Sequence, residues 1–263
     1  PLTLTEEGGY KKYNPFIFFL NLIENLGYRV SDLIIGTMPR LDLHVKSKGF
    51  NIASKVKSIP VGICENKKYE PIEMEYVKKY IPKDKFIIAY VGTIGVTNAL
   101  DILLKASSDL ENHEYLHFLI VGNGRLKDKY FSEYGYQSNL TFAPQIANSK
   151  VNSLLSKIDL AYLSVFPSRV WEYGMSLNKV IDYMDASKPI LASYSGYKSM
   201  INEANCGFFV PAGNKDILKK EILRISKMNK ELLNSYGLKG KKWLQENRNY
   251  KSLASQYLKL LFP

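Results

Sequence analysis

The chain has 263 residues, 46% of them hydrophobic and 23% charged, and a formal net charge of +11. That length buries one large core or two moderate ones, and the composition is that of a soluble globular protein. No apolar run has the length of a membrane span: the longest near the N-terminus, Phe16 to Leu22, is short and contains Asn21. A signal-peptide pattern is absent too. Cys64 and Cys206 stand far apart without a partner motif, so free thiols in a reducing cytoplasm are the simplest expectation.

Pro1 rather than Met opens the chain. The first residues read like the middle of a domain, so a fragment is expected. From Tyr13 to Asn25 the pattern fits an amphipathic helix, with Pro15 in its first turn and Gly27 beyond its end. Asp32 to Gly36 reads as a buried strand, a short helix follows Pro39 and ends near Gly49, and Val56 to Ile59 is a second strand closed by Pro60. Two strands and two helices make a poor domain alone. The hydrophilic stretch Glu65 to Pro71 is the linker candidate, which gives a first unit over 1–68 and a second over 69–263.

Beyond the linker, strands and helices alternate. Strands are expected at Phe86 to Val91, Leu116 to Val121, Leu140 to Ala143, Leu160 to Ser164, Pro189 to Ala192 and Gly207 to Val210. Helices fall between them at Asn98 to Leu110, Leu126 to Tyr134, Lys150 to Lys157 and from Asn178. Strands that are apolar throughout, separated by helices, specify a parallel sheet covered on both faces: a doubly wound α/β domain. The last fifty residues are helical, with Gly237 and Gly240 marking a break. From Lys215 onward twelve Lys or Arg face four acidic residues. An anionic membrane surface, an anionic substrate or nucleic acid could meet that charge, and so could plain solvent. No nucleic-acid-binding motif accompanies it, so nucleic acid ranks last.

Ligands of such sheets bind beyond the carboxyl ends of the strands. Three loops on that edge carry glycine: Gly92-Thr93-Ile94-Gly95, Gly122-Asn123-Gly124-Arg125, and the stretch Gly174 to Pro189. Neither the dinucleotide fingerprint nor the Walker A pattern is present, because Lys127 stands where the former needs a third glycine. In the third stretch a Gly and a Ser lead into a helix at Asn178, with Val180, Ile181 and Met184 on its apolar face. A helix mouth offers free amides and the positive end of the dipole, suited to a phosphate. Lys179 adds a full charge there, and Asp182, one turn beyond Asn178, could accept hydrogen bonds from sugar hydroxyls.

The ordered set YVGTIG…ALDILLKA, FLIVGNGRLKD, NLTFAPQI, GMSLNKVIDYMDASKPIL and ANCGFFVPAGN resembles the nucleotide-sugar domain of retaining glycosyltransferases of the GT-B fold. It is most similar to family-four enzymes that build bacterial surface polysaccharides. The likeness runs from about Lys85 to the C-terminus, and the residues before Pro60-Val61-Gly62 resemble the end of that family's acceptor-binding domain. It implies a Rossmann-like C-terminal domain preceded by the remnant of a second α/β domain. It also implies transfer from a nucleotide diphosphate-sugar, UDP foremost, to a glycan or lipid-linked acceptor, without a metal or other cofactor. No Asp-x-Asp pair is present. Capsule, O-antigen or exopolysaccharide assembly is the implied setting, in the cytoplasm or at the inner membrane face.

The resemblance also implies residue roles. Gly95 would lie against the donor diphosphate. Gly122, Asn123 and Gly124 would line the base pocket, with Gln145 and Ile146 touching the base. Ser176, Asn178 and Lys179 would hold the diphosphate, and Asp182 the ribose. Two departures stand out. The family's paired-acid motif has a Glu eight residues before its second acid, where this chain has Gly174, and Glu172 is two residues too early. The family's Arg or Lys after the first strand's glycine is Thr93 here. Lys179 is therefore the first choice for the cation facing the leaving diphosphate, and Arg169 the second. Trp171 and Tyr173 could pack on the sugar or in the core. His44, His113 and His117 are surface or partly buried positions rather than bases. Two other functions remain open: a nucleotide-sugar epimerase, for which no pair of facing carboxylates is evident, and a non-catalytic nucleotide-sugar-binding module, which the missing Glu permits. As a fragment the chain is expected to bind donor weakly and to transfer nothing.

Overall fold

The computed structural model describes residues 1–64 and 67–262. The chain opens with helix α1 (Leu2–Glu6), then α2 (Pro15–Val30), strand β1 (Ile34–Gly36), α3 (Leu41–Ser47) and β2 (Val56–Ser58). After α4 (Met74–Tyr80) come β3 (Phe86–Val91), α5 (Asp101–Asp109), β4 (Leu116–Val121), α6 (Lys127–Tyr134), β5 (Leu140–Ala143), α7 (Val151–Leu155) and β6 (Leu160–Ser164). The remainder is α8 (Asn178–Asp185), β7 (Ile190–Ser193), α9 (Met200–Glu203), β8 (Gly207–Val210), α10 (Lys215–Ser226), α11 (Lys230–Asn247) and α12 (Tyr250–Leu261).

Strands β3 to β8 form a six-stranded sheet in the order β5-β4-β3-β6-β7-β8, every pair parallel. The order reverses between β3 and β6, where a doubly wound sheet opens its crevice. Alternation along each strand feeds two cores. Ile87, Ala89 and Val91 of β3 pack with α8 (Val180, Tyr183, Met184) on one face. Ile88 and Tyr90 pack with α5 (Leu103, Leu104) and α10 (Leu218, Ile222, Ile225) on the other. Both faces are covered, which is why the strands are apolar throughout.

β1 and β2 form a separate two-stranded parallel sheet. Asn14 caps α2, its side chain accepting from the Phe16 amide, and Pro15 fills the first helical position. Phe16, Phe19, Ile23 and Leu26 of this helix are exposed. The first two residues of the expected linker lie outside the described residues. The rest is tied to the large sheet's helices: Glu70 N–H donates to the Ser149 carbonyl (2.9 Å) and Ile72 N–H to Ser153 Oγ (2.9 Å). At the other end, Ile63 forms a parallel bridge with Asn249, so α12 is joined to the segment that follows β2.

Gly237 and Gly240 do not break a helix. Both lie inside α11, because a side chain at 237 would collide with the Ser187 carbonyl and one at 240 would press on Cys206. They let α11 approach α8 and the turn after it. Elsewhere the helical stretch divides at Asn229 and Asn249, whose side chains accept from the first amides of α11 and α12.

Candidate functional site

At the carboxyl edge of β3, β4 and β5 lies a cavity of about 350 Å³. Its walls are the turns after β3 (Gly92, Thr93) and β4 (Gly122, Asn123), the segment after β5 (Gln145, Ile146, Asn148), and the first turns of α8 (Asn178, Lys179, Asp182). Leu177, the residue before α8, gives it no side-chain cap. Val180 N–H donates to the Leu177 carbonyl (3.1 Å), and the amides ahead of it are left for whatever enters, at the positive end of the helix dipole.

Two glycine turns stack to make this edge. Gly122 sits at φ +149, and a Cβ there would run into the Gly92 carbonyl oxygen. Gly124, at φ +155, is pressed on the Ile94 carbonyl, while Ile94 N–H donates to the Asn123 carbonyl (2.9 Å). Asn123 Oδ1 accepts from the Gly124 amide at 2.8 Å. Glycine is thus demanded by contact between the loops themselves.

Lys179 is the charge at the centre. Its Nζ donates to Tyr90 Oη at 2.7 Å and to Asn98 Oδ1 at 2.5 Å. Burial lowers its pKa to about 7, and burial is the sole cause of that shift. The two acceptors are themselves fixed: Tyr90 Oη donates to the Thr93 carbonyl (2.6 Å), as does Asn98 Nδ2 (3.0 Å). Asp182 lies 3.4 Å from Lys67 Nζ.

Of the residues singled out from sequence, Thr93, Gly122, Asn123, Gln145, Ile146, Asn178, Lys179 and Asp182 all line this one cavity. Gly95 and Gly124 are not in its wall. Gly95 has φ −128 and room for a methyl group, its nearest neighbours being Thr93 and Asn98 side chains at 3.8 and 3.9 Å. Ser176 belongs instead to a second cavity of about 310 Å³ with Thr37, Pro39 and Arg248. Arg169 and Glu172 also lie off the site. They pair with each other at 3.8 Å, with side chains 63% and 59% exposed. The turn they occupy, Arg169–Tyr173, buries Val170, Trp171 and Tyr173 and so turns its charged residues to solvent. Trp171 and Tyr173 are core residues, and His117 is buried, bonded to Thr141 Oγ1 at 2.9 Å.

Tyr90 and Asn98 escaped the sequence reading. Tyr90 reads as one more apolar strand residue, and Asn98 as the start of a helix. The helix begins later, at Asp101, because Ala99 is left-handed (φ 43) and closes a 3-10 turn over Val96–Asn98. Among the described residues no helix is long and apolar enough to cross a membrane.

A doubly wound sheet with an uncapped helix mouth and a half-buried lysine at its carboxyl edge has the backbone amides and the cation that a phosphate group calls for. The chain belongs to the glycosyl transferases group 1 family, whose model matches residues 73–243. No curated protein matches it in sequence. Among solved structures it is similar to TarM of S. aureus, at 15% identity and TM-score 0.71, covering 98% of this chain and 50% of that one. It is similar to HepE of Anabaena in complex with UDP-glucose (15% identity, TM-score 0.68, 92% and 66% covered). It is also similar to WaaG, a glycosyltransferase involved in lipopolysaccharide biosynthesis (18% identity, TM-score 0.72, 96% and 69% covered). At these identities the likeness is one of fold, the GT-B glycosyltransferase fold. The chain spans from half to about two thirds of those structures.

Proposed function

We propose that the cavity binds the nucleoside diphosphate of a sugar donor, UDP foremost, and that the chain serves in sugar transfer with retention to a glycan or lipid-linked acceptor. One observation carries the reading: the half-buried, carboxylate-free Lys179 beside the uncapped start of α8, both facing the same cavity. A departing sugar leaves its electrons on the diphosphate, and preorganised amides and a cation lower the barrier by meeting that charge. In this reading Gly122, Asn123, Gln145 and Ile146, which line the cavity, would meet the base, and Asp182, also in its wall, the ribose. TarM was solved with UDP and HepE with UDP-glucose, which supports UDP. WaaG's role in lipopolysaccharide biosynthesis supports surface-polysaccharide assembly. The lysine-rich α10 to α12 would hold the protein near an anionic inner membrane face.

Gly174 favours a second reading, nucleotide-sugar binding without turnover. It stands where the family has an acid, and Pro39 fills the space beside it. Calorimetry with UDP, GDP and ADP, followed by incubation with labelled UDP-sugars and a lipid-linked acceptor, separates the two. Preferential UDP binding with transfer supports the transferase, and binding without transfer supports the module. Equal indifference to all three nucleotides would defeat the donor site itself.

A further inference from the structure

Lys179 is held by two neutral groups, and both are tied to one further atom, the Thr93 carbonyl oxygen. The ammonium, the β3 turn and the start of α8 therefore form one closed polar circuit. Ser164 Oγ extends it, donating to the Asn98 carbonyl at 2.6 Å from the end of β6. Tyr90 is fully buried in the sheet core, so its hydroxyl is a fixed post rather than a mobile arm.

We propose that Asn98 and Tyr90 are positioning residues for donor binding, holding the Lys179 amine at the Gly92–Thr93 turn so that an arriving diphosphate completes its charge balance by drawing a proton onto it. This rests on the donor-site reading above. The groups facing Lys179 are few. From β3 comes Tyr90, and from the turn after it the Gly92 backbone, whose hypothetical Cβ would sit 3.6 Å from Nζ. Asn98 comes from the turn before α5. On α8 itself Asp182 and Tyr183 line the same cavity, but Asp182 is paired with Lys67, and Tyr183 Oη donates to the backbone carbonyls of Tyr162 and Val91. No carboxylate among the described residues shifts the amine. Neutral acceptors orient a lysine and favour its charged form less than a carboxylate would, so against burial the free site carries an amine poised near neutrality. A diphosphate diester supplies the missing negative charge, and the proton comes from solvent.

The test is the pH profile of UDP-glucose binding to the full chain, measured by calorimetry from pH 6 to 8. Neither phosphate of that probe titrates in this range. Wild-type affinity should fall about tenfold between pH 6 and pH 8, with net proton uptake read from the buffer dependence of the binding heat. Asn98→Asp places a carboxylate on the amine and should flatten the fall across that range. Asn98→Leu and Tyr90→Phe each remove an acceptor and should shift the fall to lower pH. A purely structural role would change affinity at every pH without moving the profile. Should all three variants keep the wild-type profile while Lys179→Met abolishes binding, the positioning role is wrong and the donor site stands. Binding by Lys179→Met equal to wild type, or none by wild type to UDP or UDP-glucose, would sink the donor site and this inference together.

Discussion

Pro39 occupies the space where residue 174 would carry a side chain: a Cβ on Gly174 would lie 2.6 Å from Pro39 Cδ, and Gly174 itself sits at φ +103. The family's acid at this position is thus excluded twice, by backbone conformation and by a ring from the segment after β1. Gly174→Glu should destabilise the protein by about 2 kcal/mol or more rather than restore a catalytic group. Thermal melting checks this; a variant as stable as wild type would mean that the loop refolds around the new side chain.

Lys179 sets function against stability. Its pKa is lowered from 10.5 to about 7. Between those values the unfolded chain holds a proton that the folded one does not, so the folded state loses stability as pH falls through that window. Lys179→Met should raise the melting temperature of the ligand-free protein at pH 7, by about 2 kcal/mol in stability, with the gain vanishing toward pH 10. The same variant should weaken UDP-glucose binding about tenfold or more, a charge-assisted contact being worth roughly 1.5–3 kcal/mol. A lower melting temperature at pH 7 would contradict the desolvation account.

The two loop glycines should answer differently to the same change. Gly122→Ala meets the Gly92 carbonyl and needs φ +149, so a loss of about 2 kcal/mol or more is expected. Gly95→Ala meets only ordinary contacts and should stay within about 0.5 kcal/mol of wild type. Affinity then decides whether Gly95 touches the donor. Weaker UDP-glucose binding with unchanged melting puts the diphosphate against it, and unchanged affinity removes it from the site.

Acid should unfold the protein partly through His117. Burial lowers its pKa to about 4, with the Lys85 charge adding a smaller push. As pH falls from 6.5 the unfolded chain takes up a proton that the folded imidazole refuses, costing up to about 3 kcal/mol by pH 4. His117→Gln should flatten this part of the stability–pH curve in denaturant titrations. An unchanged slope would place the acid sensitivity elsewhere.

The sheet was legible because its strands are hydrophobic on both faces, and each of the six expected strands is present to within a residue or so. Gly122, Asn123, Gln145, Ile146 and Lys179 converge for the same reason: parallel strands deliver their following loops to one edge. Arg169, Glu172 and Ser176 lie outside that cavity because nearness in sequence to α8 says nothing about direction. A short turn that buries Val170, Trp171 and Tyr173 leaves its other two residues, Arg169 and Glu172, to solvent. Tyr90 was invisible because a buried tyrosine ring and a useful hydroxyl are the same letter. Gly237 and Gly240 misled because glycine in a helix marks a close neighbour as readily as an end.

The bridge between Ile63 and Asn249 has a mechanical meaning. Ile63 N–H donates to the Arg248 carbonyl (2.7 Å), and Tyr250 N–H donates back to the Ile63 carbonyl (3.1 Å), so two polypeptide crossings lie side by side and laced together. A third tie lies away from them, where Arg40 N–H donates to the Tyr173 carbonyl (2.9 Å) and the His44 ring stands edge-on to Tyr173 (5.1 Å between centroids). Three fastenings that do not share one line leave the β1–β2 layer no axis to turn about without first unlacing one of them.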